Sequence, residues 1–176
     1  RSDGVEARAA VEAALRTSGP FYLRFGRYAL PVINVRPDYR FELGKGVLLA
    51  DGDDVTLVAT GLCVSLALEA RELLAAEGIG ARVVNIHTIK PIDRALLVAS
   101  AQKTGAVVTV EEHNIIGGLG GAVCEVLAEA CPVPVQRVGM NDTYGHSGTV
   151  PALLEAYGLT AANIAAKAKA AIAMKK

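Results

Sequence analysis

From Lys45 onward the chain alternates short apolar runs rich in valine with helix-length segments, and this alternation constrains the fold more than any other feature. Val55 to Thr60, Ala81 to Ile86, Ala106 to Glu111 and Val133 to Val138 read as strands. Between them fall a helix from about Val64 to Glu77 closed by Gly78, one begun by Asp93 as N-cap, and one from about Gly120 to Ala130. Strands joined by helical crossovers of one hand make a parallel sheet covered by helices on both faces. Ahead of them, Val47-Leu48-Leu49 and Val55 to Ala59 flank Asp51-Gly52-Asp53-Asp54, a turn signal that predicts an antiparallel hairpin. The expected fold is therefore α/β, a mostly parallel five-stranded sheet with one antiparallel strand. Two more helices are expected, from near Thr149 and near Thr160, the second rich in alanine and of high intrinsic propensity.

The segment before Lys45 does not fit this pattern. Ala7, Ala10, Val11, Ala14 and Leu15 form one apolar helix face, ended by Ser18-Gly19-Pro20. Phe21 to Phe25 follows as a strand candidate rich in aromatic residues. A stray helix and strand cannot bury both faces, so residues 1–27 read as the tail of a domain whose body lies elsewhere. Residues 28–44 hold Pro31, Pro37 and Gly44 with no sustained period, as a linker would, leaving 45–176 as the second domain.

Charge narrows the class of partner. Lys+Arg and Asp+Glu are equal at 18 each, so no global field exists to hold nucleic acid or an anionic membrane. Through Lys45 there is a local excess of +3, which scattered solvated arginines explain. No run approaches the roughly eighteen apolar residues of a membrane span, and the N-terminus lacks the order of a signal peptide, so a cytoplasmic protein is expected. Cys63, Cys124 and Cys131 are odd in number and show no C-x-x-C spacing, which points to reduced, mostly buried thiols.

In a parallel sheet the strand C-termini share one edge, the usual ligand crevice. Here that edge should gather Thr60, Gly61, His87, Thr88, Glu112, His113, Asn141 and Asp142, a set able to cap loops, move protons or hold a metal. Gly117-Gly118-Leu119-Gly120-Gly121 opens a helix, where bare backbone N–H groups attract anions, although the spacing departs from the dinucleotide fingerprint. A nucleotide- or anion-binding regulatory domain is therefore one reading of this chain, and tight turn and close helix packing the other. Ser65 and Ser147 lack a nucleophile elbow, and Cys63 at a helix start reads as a small core residue or a thiol of lowered pKa. Arg24 and Arg27 flank one strand end, where a guanidinium can grip a phosphate or pair with an acid of the next domain.

Gly19 to Arg27, Val55 to Gly61, Val83 to Asp93, Val110 to His113 with Gly117 to Gly120, and Asp142 to Gly148 before Tyr157-Gly158-Leu159 together resemble the C-terminal part of transketolases. The chain is especially similar to the C-terminal subunit of split transketolases, thiamine diphosphate enzymes made as two polypeptides. The resemblance implies that residues 1–27 are the tail of the pyrimidine-binding domain and 45–176 the complete C-terminal domain, with a mixed, mostly parallel sheet.

It further implies a scaffold and dimerisation role in a parent that moves two-carbon ketol units between sugar phosphates, using thiamine diphosphate and a divalent metal such as magnesium. The family's Gly-Asp-Gly…Asn motif is absent and its activating glutamate would lie upstream of Arg1, so no catalytic, cofactor or metal residue is expected here and the isolated chain is expected to be inactive. A homodimer and an N-terminal subunit or segment are the implied partners. Arg27 is similar in position to the arginine that grips the substrate's terminal phosphate, and His87 stands where the related deoxyxylulose-phosphate synthases carry a second such arginine. Histidine there favours a transketolase over the synthase, and Ile86 to Pro91 is worded more like a transketolase than a 2-oxoacid dehydrogenase beta chain.

Overall fold

A computed structural model describes residues 2–35, 37 and 39–175 of the chain. Arg1, Arg36 and Asp38 of the N-terminal charge excess thus lie outside the described residues. In chain order the elements are α1 (Gly4–Arg16), β1 (Val47–Ala50), β2 (Val55–Ala59), α2 (Cys63–Ala76), β3 (Ala81–Asn85), α3 (Arg94–Thr104), β4 (Val107–Asn114), α4 (Leu119–Ala130), β5 (Val135–Met140), α5 (Val150–Ala156) and α6 (Ala161–Ala173).

The sheet runs β1-β3-β2-β4-β5, with β2 parallel to both β3 and β4, and β4 parallel to β5. The antiparallel strand is present, but the expected hairpin is not: β1 pairs with β3 instead of β2. Every residue of β2 is buried, whereas β1 is half-buried throughout. A strand apolar on both faces belongs at the centre of a parallel sheet, between two partners, and that burial outweighs the local preference of an Asp-Gly turn. The Asp51–Asp54 connection instead crosses the start of β3. Asp54 N donates to Gly80 O at 2.9 Å, Gly80 N donates to Asp54 Oδ2 at 2.7 Å, and a Cβ on Gly52 would lie 2.6 Å from the backbone of Gly80 and Ala81.

Alternation along the strands divides the core in two. Val55, Leu57, Ala59, Val83, Val108 and Val110 pack with Ala67, Ala70, Leu74, Ile164 and Ala168 of α2 and α6. Val58, Val84, Ile86 and Val107 pack with Leu97, Ala101, Val123 and Leu127 of α3 and α4. Helix ends follow local chemistry: Asp93 accepts from Leu96 N at 3.1 Å, Thr160 Oγ1 accepts from Asn163 N at 3.2 Å, and Gly78 leaves α2 at φ 77°. Among the described residues no helix is long and apolar enough to cross a membrane.

α1 forms where its stripe predicts, capped by Asp3, but of that stripe only Ala10 is fully buried; Leu15 is 82% exposed. Phe21 to Phe25 is not a strand, because among the described residues no neighbouring strand offers it a ladder. What fastens the helix is polar. Glu6, fully buried, accepts from Ser2 N at 2.9 Å and from Asn85 Nδ2 at the end of β3, while Asp3 Oδ2 accepts from Ile33 N and Asn34 N at 2.9 and 2.8 Å.

Candidate functional site

The order β3-β2-β4 reverses the direction of crossover between β2 and β4, and a sheet of this kind opens a crevice at that switch point. A cleft of about 700 Å³ lies there. Thr60 and Gly61 after β2, His87 to Pro91 after β3, and Glu112 and His113 on β4 form its floor, and residues 17–24 with Leu43 form its wall. Six of the expected edge residues therefore meet in one place. Asn141 and Asp142 do not join them: both are exposed, and Asp142 Oδ1 accepts from Asn114 Nδ2 at 2.8 Å outside the cleft lining.

Consecutive acids on β4 part company because strand side chains alternate. Glu112 faces the cleft and accepts from Arg24 Nη1 at 2.5 Å, so the ion-pair reading holds for Arg24. His113 is half-buried beside them, and its pKa is lowered by burial and by the Arg24 charge, against the opposing pull of Glu112. Neutral imidazole is the form this site favours near pH 7. Arg27 is exposed, lies beyond the cleft lining and makes no ion pair among the described residues. His87 borders the cleft but is only 3% exposed, its ring stacked 4.2 Å from that of Phe41 and its Nδ1 2.8 Å from Thr88 Oγ1. The structure does not bring Arg27 and His87 together at the cleft.

The glycine run has a different use from anion capture. Glu111, 1% exposed, points away from the cleft and caps α4: its carboxylate accepts from Leu119 N at 2.7 Å and Gly120 N at 2.8 Å. A Cβ on Gly118 would lie 2.0 Å from Glu111 Oε2. The helix start is thus occupied by an anion of this chain, which corrects the nucleotide- or anion-binding reading of Gly117 to Gly121. Burial pushes the Glu111 carboxyl up, while the Gly120 and Leu119 N–H groups and the Arg137 charge act in the opposite direction. The signal that could have found this cap is an acid closing an otherwise apolar strand eight residues before a glycine-opened helix.

Cys63 is fully buried, and burial, with the fields of Glu112 and Glu111, raises its pKa, so it is the core residue and not an activated thiol. Ser65 donates to Leu62 O at 2.9 Å, and Ser147 is exposed in the 141–149 loop. One contact there was not legible: the Tyr157 hydroxyl lies 2.7 Å from His146 Nδ1 and accepts from His146 N at 3.1 Å.

Residues 44–164 match the family described as transketolase, C-terminal domain. The chain is 49% identical over 162 residues to a 6-deoxy-6-sulfo-D-fructose transketolase subunit of Clostridium sp. (strain MSTE9), covering 92% of this chain and 50% of that protein. It is 42% identical over 161 residues to the 1-deoxy-D-xylulose-5-phosphate synthase of Heliobacterium modesticaldum, covering 90% of this chain and 25% of that protein. A solved structure described as a split gene transketolase, inactive beta4 tetramer, matches with a TM-score of 0.95 and 52% identity, over 99% of this chain and 57% of that one. The chain thus spans half the length of the first of these two curated relatives and a quarter of the second.

Proposed function

The chain belongs to the transketolase C-terminal domain family, and from that premise we propose that it is the C-terminal scaffold of an enzyme moving two-carbon ketol units between sugar phosphates. Residues 1–27 are assigned to the tail of the pyrimidine-binding domain, 28–44 to a linker, and 45–176 to the C-terminal domain. The observation that carries this reading is the uncovered apolar side of the N-terminal segment. Val11, Leu15, Tyr22, Phe25 and Tyr28 are all at least 41% exposed, more aromatic and aliphatic surface than a free helix and an unpaired extended segment would hold in water. The rest of a pyrimidine-binding domain, from an N-terminal subunit or segment, would cover it, and dimerisation through the C-terminal domain completes the assembly in the cytoplasm.

Thiamine diphosphate with a divalent metal supplies the parent's chemistry, as the family's resemblance implies. The residues of this chain do not fit that group by themselves. Among the described residues no three of His, Cys, Asp and Glu converge on a metal position, and the acids at the sheet edge already serve Leu119 and Gly120, Arg24, and Asn114. We therefore place the cofactor in the parent's other segments. This chain's own contribution to substrate is Arg27, exposed and free of an ion pair among the described residues, gripping the terminal phosphate; His87 is the second candidate, with Phe41 stacked over it.

Calorimetric titration of magnesium thiamine diphosphate tests the assignment. No saturable heat is expected with this chain alone, and saturable binding with ketol transfer once the partner segments are added. Micromolar binding to the chain alone, or none in the mixture, overturns it.

A further inference from the structure

We infer that Glu112 is a positioning residue for substrate phosphate, acting through Arg24 to set the place of Arg27. The inference rests on the assignment of Arg27 above and goes one step beyond it. Among the described residues from 18 to 32, Arg24 alone makes a hydrogen bond to another segment, and its partner is Glu112. That stretch has no helix or ladder of its own to hold it. Glu112, by contrast, stands on β4, two residues beyond the stretch from Val107 to Val110 that is paired on both sides and rooted in the core. A charge-assisted hydrogen bond to that strand therefore supplies the one polar anchor, among the described residues, of a segment otherwise held by the half-buried side chains of Phe21, Leu23 and Leu30.

The anchor is close enough to matter. Three residues of extended chain span at most about 10 Å, so fixing Arg24 confines Arg27 to a small region near the cleft mouth. In an extended segment residues three apart face opposite sides, and the chain bends at Arg27 and Tyr28; Arg24 turned onto the cleft thus leaves Arg27 turned outward, as its exposure records. Without the Glu112 carboxylate, Arg24 becomes a guanidinium with no ion-pair partner among the described residues. It would then compete for the phosphate or carry Arg27 away, and a guanidinium moved about 1 Å from its bonding position loses much of a charge-assisted hydrogen bond to phosphate, which weakens binding of the phosphorylated substrate.

The test uses the enzyme reassembled with its partner segments and compares a phosphorylated sugar acceptor with the same sugar lacking phosphate. Glu112→Gln, nearly isosteric and on a partly exposed side chain, should raise KM for the phosphorylated acceptor by about tenfold, leaving kcat and the KM of the unphosphorylated sugar unchanged. Arg24→Gln, which breaks the same pair from the other side, should reproduce this pattern. On an Arg27→Ala background Glu112→Gln should add nothing further, since both act through one group. If Arg27→Ala raises KM while Glu112→Gln does not, or if the two effects multiply, the positioning role is overturned and the Arg27 assignment stands. If Arg27→Ala itself leaves KM for phosphorylated sugars unchanged, the Arg27 assignment falls and takes the positioning role with it.

Discussion

The carboxylate of Glu111 accepts the backbone N–H of Gly120 at 2.8 Å, joining the middle of one core strand to the start of the helix that follows it. With Leu119 N on its other oxygen, Glu111 satisfies donors that would otherwise be buried and unpaired. The cap needs glycine beside it. Gly118→Ala should lower stability by about 2–3 kcal/mol, because its Cβ would displace Glu111 Oε2 and press on Asn114 O at 2.7 Å. Gly121→Ala, inside α4 with open space around its Cβ, should instead raise stability by about 0.5–1 kcal/mol. Urea midpoints of the two variants, moving in opposite directions at constant slope, check both.

Acid should loosen the sheet's far edge. The Lys103 ammonium, with Gly52 N–H and Arg82, holds Asp51 at about 2 against an ordinary 3.8. A carboxyl depressed in the folded state contributes stability that is complete above its unfolded pKa and is lost as pH falls through the folded one, here the window from about 4 to about 2. Asp51→Asn should flatten that part of the acid limb of a stability-versus-pH curve. An unchanged limb would mean that the pair with Lys103 and Arg82 does nothing for folding.

Thiol reagents should distinguish the cysteines. Cys124 and Cys131 are half-buried, while Cys63 is fully buried with its thiolate disfavoured. Under native conditions the first two should label, and Cys63 only at the rate of unfolding. Fast labelling of Cys63 would contradict its place in the core.

At the uncovered face of α1, Leu15→Ser should leave the isolated chain within about 0.5 kcal/mol of its original stability, since Leu15 is 82% exposed. The same change should weaken association with the partner segments, read by sedimentation of the mixture. Equal association by both forms would remove α1 from that interface.

Local chemistry was legible in the residues themselves. The alternation of strands and helices, the caps at Asp93 and Thr160, the stop at Gly78 and the apolar stripe of α1 all depend on neighbours within about one turn, and each element from β2 onward stands close to where the sequence placed it. The edge crevice was legible too, because parallel topology alone brings Thr60, Gly61, His87, Thr88, Glu112 and His113 to one side. Pairing across the chain was not. That β1 lies against β3, that Glu111 turns to α4 while Glu112 meets Arg24 88 residues away, and that His87 lies beneath Phe41 follow from which faces become buried once the sheet order is set. A residue's type and spacing determine what it can bond to; only burial and strand order decide which distant partner is within reach.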